Sequence, residues 1–354
     1  METSAPAPAR VGRGSRVVRA AAALWVAFVL AHWALNGRWW AWLVPAALPP
    51  LLFVVVPLAL VVAAVAVRTG RRRGAALAVL GLLLGLPYGG LRPVLADEPG
   101  RPGIRVLSWN TEFWTQDKDP DQFYRYLHEQ DADVYLLQEY LGWDLARPFD
   151  GQRPIDDLDR LRAEFPAHTV VRRGELVTLS RLPVVAQPPV APDPAAAGDA
   201  TTDFDTIFRE AKTLRTDLRV GGAVVSFYNV HIAVQLKMVN PVSASFWRMP
   251  RTADPQRRRQ LTGLWADISA NPRPVVVAGD FNTSPAMADL DGAPRRLRDA
   301  NDEPYPATWP AGLPLWRLDW AFTSAPLRVG GYDLRSPAGL SDHRAQLITL
   351  AAPR

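Results

Sequence analysis

The sequence of 354 residues contains no cysteine. That excludes disulfides and thiolate chemistry and suits an exported domain, although cysteine-free chains occur in every compartment. It also lacks a phosphate-binding glycine loop, an internal repeat and a coiled-coil heptad, which sets aside P-loop nucleotide hydrolases, solenoids and coiled coils. Charge is missing from long stretches of the first hundred residues. Residues 17–36 are interrupted only by Arg19 and His32, and residues 40–67 and 74–91 carry no charge.

A membrane-crossing helix needs about 20 mostly apolar residues. The three runs therefore predict three transmembrane helices, at residues 17–36, 41–67 and 74–91. Pro45, Pro49, Pro50 and Pro57 would kink the second, which bundled membrane helices tolerate, and Trp39, Trp40 and Trp42 form an interfacial belt at its start. A cleavable signal followed by core helices is the alternative, and three runs in succession argue against it. Arg10, Arg13, Arg16 and Arg19 precede or open the first run, and Arg68, Arg71, Arg72 and Arg73 separate the second from the third, whereas the first hairpin holds only Arg38. The positive-inside rule then places the N-terminus in the cytoplasm and the remainder outside a multi-pass cell-membrane anchor.

The chain is basic overall, at +5, but residues 1–101 hold eleven Arg against Glu2, Asp97 and Glu98. Residues 102–354 are net −3. A nuclease of general DNA presents a basic footprint, so this balance disfavours one. The expected organisation is an anchor over 1–96, a Pro/Gly linker over 97–103 and one globular α/β domain over 104–354.

Within that domain, apolar, β-branched runs predict strands at 104–109, 134–137, 176–179, 224–230, 275–278, 320–323 and 346–350. Helices are expected at 121–129 and 255–268, with Arg257, Arg258 and Arg259 on a solvated face. Residues 188–202 read as a surface loop, and 235–250 as an insertion, lid or membrane-facing loop.

Polar residues punctuate the strand ends. Asn110 follows the first strand and Gln138-Glu139 the second; His231 closes another; Gly279-Asp280-Phe281-Asn282 ends a fourth; Asp319 opens a fifth; Ser341-Asp342-His343 precedes the last. Taken singly, each has an ordinary structural reading as a strand cap, a core histidine or a turn acid. Together they are the equipment for metal-assisted attack on phosphate, which must neutralise oxygens, activate water and protonate a leaving group.

That succession resembles the endonuclease/exonuclease/phosphatase superfamily, and Ser180-Arg181-Leu182-Pro183 is similar to its Ser-Arg-x-Pro stretch. The resemblance implies a deoxyribonuclease-like four-layer α/β/β/α sandwich and a Mg²⁺ (or Mn²⁺) cofactor. By position it implies Glu139 as the main metal carboxylate, with Asn110 and Asp342 completing the set. Asp280 would position or deprotonate water, and Asn282 would hold the scissile phosphate. His343, oriented by Asp319, would contact phosphoryl oxygens or act as base, and His231 would be the second histidine, a general acid. Which histidine is acid and which is base stays open.

Three membrane helices ahead of such a domain resemble the VanJ-type membrane proteins associated with glycopeptide (teicoplanin) resistance. The partners implied are the lipid bilayer and a phosphate-ester substrate, a lipid-linked cell-envelope intermediate. An anchored extracellular nuclease acting on nucleic acid is the alternative, and a non-enzymatic protein that binds a wall precursor is a third reading.

Overall fold

The computed structural model describes residues 12–67, 71–92, 103–114, 119–144, 146–147, 151–198, 202–236 and 240–351. Arg10, Arg68 and the expected linker, except Gly103, lie outside the described residues. The chain divides into two compact units, one of the N-terminal helices together with Ser284–Ala288, the other beginning at Arg92.

The first unit contains α1 (Arg13–Leu35), α2 (Leu43–Ala46), α3 (Leu52–Ala66) and α4 (Arg71–Gly85). Among the described residues only α1 is long and apolar enough to cross a membrane, which corrects the expectation of three spans. The uncharged run over 41–67 is interrupted at Pro49-Pro50, because a residue before proline avoids helical backbone. What remains is α3, whose 15 residues reach about 22 Å against a hydrocarbon core of about 30 Å. The 15 residues of α4 are equally short. Trp42, expected in an interfacial belt, instead donates its indole N–H to His32 Nδ1 (3.1 Å), and Nε2 of that buried histidine faces the Ala286 carbonyl at 2.8 Å. His32 is thus a satisfied structural residue of this unit.

The second unit is built on two six-stranded mixed sheets. In chain order its strands are β1 (Ile104–Asn110), β2 (Val134–Gln138), the short pair β3 (Gly142–Trp143) and β4 (Gln152–Arg153), β5 (Thr169–Arg173), β6 (Leu176–Ser180), β7 (Val184–Ala186), β8 (Thr213–Val220), β9 (Ala223–His231), β10 (Val275–Asp280), β11 (Leu297–Asp299), β12 (Asp319–Ser324), β13 (Arg328–Arg335) and β14 (Ala345–Ala351). One sheet runs β13-β14-β1-β2-β6-β5 and the other β11-β12-β10-β9-β8-β7. Each has one parallel pair at its centre, β1 with β2 and β9 with β10. The helices are α5 (Pro120–Gln130), α6 (Leu158–Glu164), α7 (Phe204–Glu210) and α8 (Ala244–Ala270).

Alternation along the strands sorts the core into layers. Val106, Val134, Leu136, Phe227, Val276, Ala278, Ala321 and Ile348 meet between the sheets. Leu107, Trp109, Tyr135 and Leu137 face outward onto Phe123, Leu127 and Leu161 of α5 and α6. Tyr228, Val230, Val275 and Val277 pack on Leu261, Leu264 and Ile268 of α8. The result is a four-layer α/β/β/α sandwich. Across the middle layer, Gln138 Nε2 donates to Asn229 Oδ1 (2.6 Å), and Asn229 Nδ2 donates to the Leu137 and Val177 carbonyls, tying the sheets beneath the strand ends.

α8 starts eleven residues before the expected 255, capped by Ser243 and continuing through Pro250 and Pro255. Arg257 is not on a solvated face. It is buried, donating to the Ala233 carbonyl, Thr283 Oγ1 (2.6 Å) and Asp289 Oδ2 (2.7 Å), whereas Arg258 and Arg259 are exposed and pair with Asp254 and Glu210.

Candidate active site

The inward-facing alternation that fills the core also delivers the polar residues. Val106 and Ser108 lead to Asn110, Phe227 and Asn229 to His231, Val276 and Ala278 to Asp280, and Ala321 lies two residues from Asp319. Register sets these ends level. Asp280 pairs with His231 on one side and Asp319 on the other, and Asn110 pairs with Gln138. Glu139, by parity, would follow Leu137 outward. Its left-handed backbone (φ 64°) turns it back, and its Oε1 accepts from Asn110 Nδ2 at 3.0 Å. Glu112, Phe113 and Asn282 share that unusual backbone, at φ 48°, 62° and 48°.

Asp280 Oδ2 is the hub. It accepts from Asn110 Nδ2 (3.1 Å) and Asn282 Nδ2 (3.2 Å), and the Nε2 atoms of His231 and His343 each lie 3.7 Å from it. Asp280 Oδ1 takes the backbone N–H of Asn282 at 2.7 Å. Each histidine is backed by a carboxylate through Nδ1: His343 by Asp319 Oδ2 (2.8 Å), His231 by Glu175 Oε2 (3.0 Å). Both therefore present Nε2 to the same point. Asp342 also approaches the Nε2 end of His343, its Oδ1 3.9 Å from that atom and its Oδ2 fixed by the Trp309 indole N–H at 2.7 Å. Ser341 Oγ donates to the Asn110 carbonyl and accepts from the His343 N–H, fastening that loop to β1.

The electrostatics follow from burial. Burial pushes the Glu139 carboxyl up, with His231 opposing, and raises Asp280 likewise against His343. Burial alone would push His343 down, but Asp319 and Asp280 outweigh it and hold the imidazolium well above its ordinary range. His231 is raised in the same way by Glu175, with Lys212 acting against it. For Glu175, burial is outweighed by His231 and Lys212, which depress it to about 2.

Two of these residues escaped the sequence reading. Glu175, fully buried between β5 and β6, follows Gly174 and looks like any turn acid; Lys212 looks like any surface lysine. They form an ion pair, and only the fold brings them to His231. Glu175→Gln is expected to lower kcat about 10²-fold with KM little changed, as loss of the group that orients a buried histidine would. The Glu175→Gln/Lys212→Met pair, which leaves no unpaired buried ammonium, separates that effect from instability in steady-state kinetics.

Asp280, Asp319 and His343 also offer ligand atoms within 4.8 Å of one another, but Asp319 Oδ2 and His343 Nδ1 are already engaged with each other. The donor set nearer Glu139 suits a hard divalent cation better. Glu139 supplies carboxylate oxygens that no Lys or Arg neutralises among the described residues, while the Asn110 amide turns its NH₂ to Glu139 and its oxygen to the Glu112 N–H, so it would offer an oxygen to a cation on rotating its amide.

A truncated TDP2 from Caenorhabditis elegans is similar in structure at 17% identity, with 70% of this chain and 98% of that chain covered and a TM-score of 0.48. A mannosyl-6-phosphatase from Bacteroides thetaiotaomicron aligns at 13% identity, covering 70% and 99%, with a TM-score of 0.46. The human Nocturnin catalytic domain with bound sulfate aligns at 18% identity, covering 72% and 96%, with a TM-score of 0.44. No curated protein sequence matches the chain. The model of the Endonuclease/Exonuclease/phosphatase family matches residues 107–343, a span that takes in every residue of the cleft, and the chain belongs to that family of divalent-metal-dependent hydrolases of phosphate esters.

Proposed function

We propose that the protein is a membrane-tethered, Mg²⁺- or Mn²⁺-dependent phosphohydrolase whose domain faces the outside of the cell, acting on a lipid-linked phosphate ester of the envelope. The observation that carries the chemistry is the convergence of two carboxylate-backed histidines on Asp280, beside the Asn110–Glu139 pair. Support for the tether is α1, a 23-residue apolar helix that begins with Arg13, Arg16 and Arg19. With basic residues at that end, a single span leaves the following domain outside.

Glu139 and Asn110, with Asp342, would hold the cation, which supplies neutralisation of the phosphoryl oxygens. Asp280, raised by burial, orients the attacking water and takes its proton. Asn282, whose side-chain amide also reaches the Ile232 carbonyl at 3.0 Å, fixes one phosphoryl oxygen from the same end. His343, kept cationic by Asp319, stabilises the charge developing on the phosphoryl group, and His231 delivers a proton to the leaving oxygen.

The test is turnover by full-length protein in liposomes that carry prenyl-linked pyrophosphates or phospholipids, with plasmid DNA added outside and Asp280→Ala as control. Chelation should abolish turnover, and Mg²⁺ or Mn²⁺ should restore it. Lipid in the enzyme's own vesicle should be cleaved at least about 10²-fold faster than the same lipid in separate vesicles, because tethering raises effective concentration. Equal rates would remove the tether from the mechanism, and cleavage of DNA alone would make the protein an anchored nuclease.

A further inference from the structure

α8 extends past the strands that its C-terminal half covers. Its C-terminal end lies beside the start of β9, where Asn271 Nδ2 donates to Ser226 Oγ and Tyr228 OH (both 2.9 Å). Thirteen residues or so earlier in the helix, Arg257 bonds the Ala233 and Phe281 carbonyls, just past His231 and Asp280. The helix therefore runs antiparallel to β9 and β10 and draws level with the cleft at Arg257. From there to Ala244 the helix runs thirteen more residues, about 20 Å at 1.5 Å per residue, with Phe246, Pro250 and Ala253 buried and Trp247, Arg248 and Arg251 exposed.

That projecting end is chemically distinct. Val242 is 90% exposed and Trp247 41% exposed. Trp247 and Arg251 share a helix face at i and i+4, and Arg248 is exposed beside them. No acid occurs from Ile232 to Ala253, in a domain that is otherwise net negative. Ser243 caps the helix, its Oγ accepting the Phe246 N–H (3.3 Å), and the Trp247 indole donates to the Pro241 carbonyl (3.1 Å), so the Trp247 ring is held in place.

We propose that residues 241–251 form a ledge that inserts into the headgroup layer of an anionic phospholipid bilayer, keeping the cleft at the membrane surface. An aromatic and an aliphatic side chain flanked by arginines is the combination that partitions into an anionic interface. The ledge rests on the reading that the domain works at a membrane, and is independent of which ester is cleaved. Its occupant is the lipid surface itself, chosen by charge complementarity with Arg248 and Arg251.

Because the chain has no cysteine, V242C and W247C each provide a single thiol for an environment-sensitive fluorophore in full-length protein reconstituted in vesicles. A third label, V185C, on edge strand β7, is the aqueous reference. In vesicles rich in anionic lipid, labels at 242 and 247 should shift to the blue and be quenched by acyl-chain spin labels several-fold more than the label at 185. R248E/R251E should weaken that quenching strongly, since each arginine near an anionic surface strengthens adsorption about fivefold. Aqueous emission at 242 and 247, or quenching unchanged by charge reversal, overturns the ledge. Self-quenching that grows with protein density in neutral lipid would identify the face as a contact between copies and overturn it too. The readout needs no substrate, so it stands apart from failure of the lipid-ester reading, which would show only as absent turnover.

Discussion

Replacing Asp280 with asparagine is expected to lower kcat by about 10³–10⁴-fold at saturating substrate and metal, while the protein still folds. Both carboxylate oxygens are used. Oδ2 receives Asn110 and Asn282 and faces both histidines, and Oδ1 receives the Asn282 N–H. An amide has one acceptor oxygen, so in either orientation its NH₂ meets a donor. That mismatch leaves a buried N–H without a partner, at about 1–3 kcal/mol, while removal of a buried charge offsets part of it. Stability should therefore change little compared with rate. The discriminating comparison is kcat against the thermal midpoint: a variant that melts normally but retains more than a tenth of wild-type kcat would remove Asp280 from the proton-accepting role.

The second large effect belongs to Asp319→Asn. Asp319 is the first of the groups that raise His343, and it fixes the ring through Nδ1. An activity that needs imidazolium persists up to the raised folded value and falls above it. Without the carboxylate the alkaline fall should move to lower pH by about 1–3 units, and kcat should drop about 10²–10⁴-fold. Stability follows the same sign. A raised histidine contributes fully below its unfolded value of about 6.5 and loses that contribution as pH rises through the folded value. The destabilisation caused by Asp319→Asn should thus be larger near pH 6 than on the alkaline side. A pH–rate profile whose alkaline limb does not move would show that this dyad does not set it.

Most of the strands that carry the site were legible because they are apolar runs that end in a single polar residue. Hydrophobic alternation marks the run, and the polar residue marks the point where the chain leaves the core. β8 was not legible. Its sequence, Thr-Leu-Arg-Thr-Asp-Leu-Arg-Val, carries three charges in eight residues, yet Arg215 and Asp217 are buried as a pair with Asp267, Ser226 and Arg273 around them. Edge strand β13, with Gly330-Gly331, offers no apolar run either. Arg257 was misplaced for the same reason as β8: a buried guanidinium is identified by its acceptors, which come from distant segments. The membrane runs erred in the other direction, because lack of charge measures apolarity and not unbroken helix length. Glu175 and Lys212 are separated by 37 positions and carry no local pattern; only pairing of β8 with β9 and of β5 with β6 places them behind His231.

The left-handed backbone at Glu112, Phe113, Glu139 and Asn282 has consequences for how this protein can be improved. For side chains other than glycine and asparagine such conformations are strained by about 1–2 kcal/mol each, and glycine adopts them freely. Two of the four positions hold groups that face the reaction. A variant library enriched by heat challenge alone would accordingly drift toward glycine at 139 and return robust, inert proteins. Thermal hardening of this enzyme has to be sought elsewhere in the sandwich, with turnover scored in every round, because here endurance and catalysis make opposite demands on the same backbone.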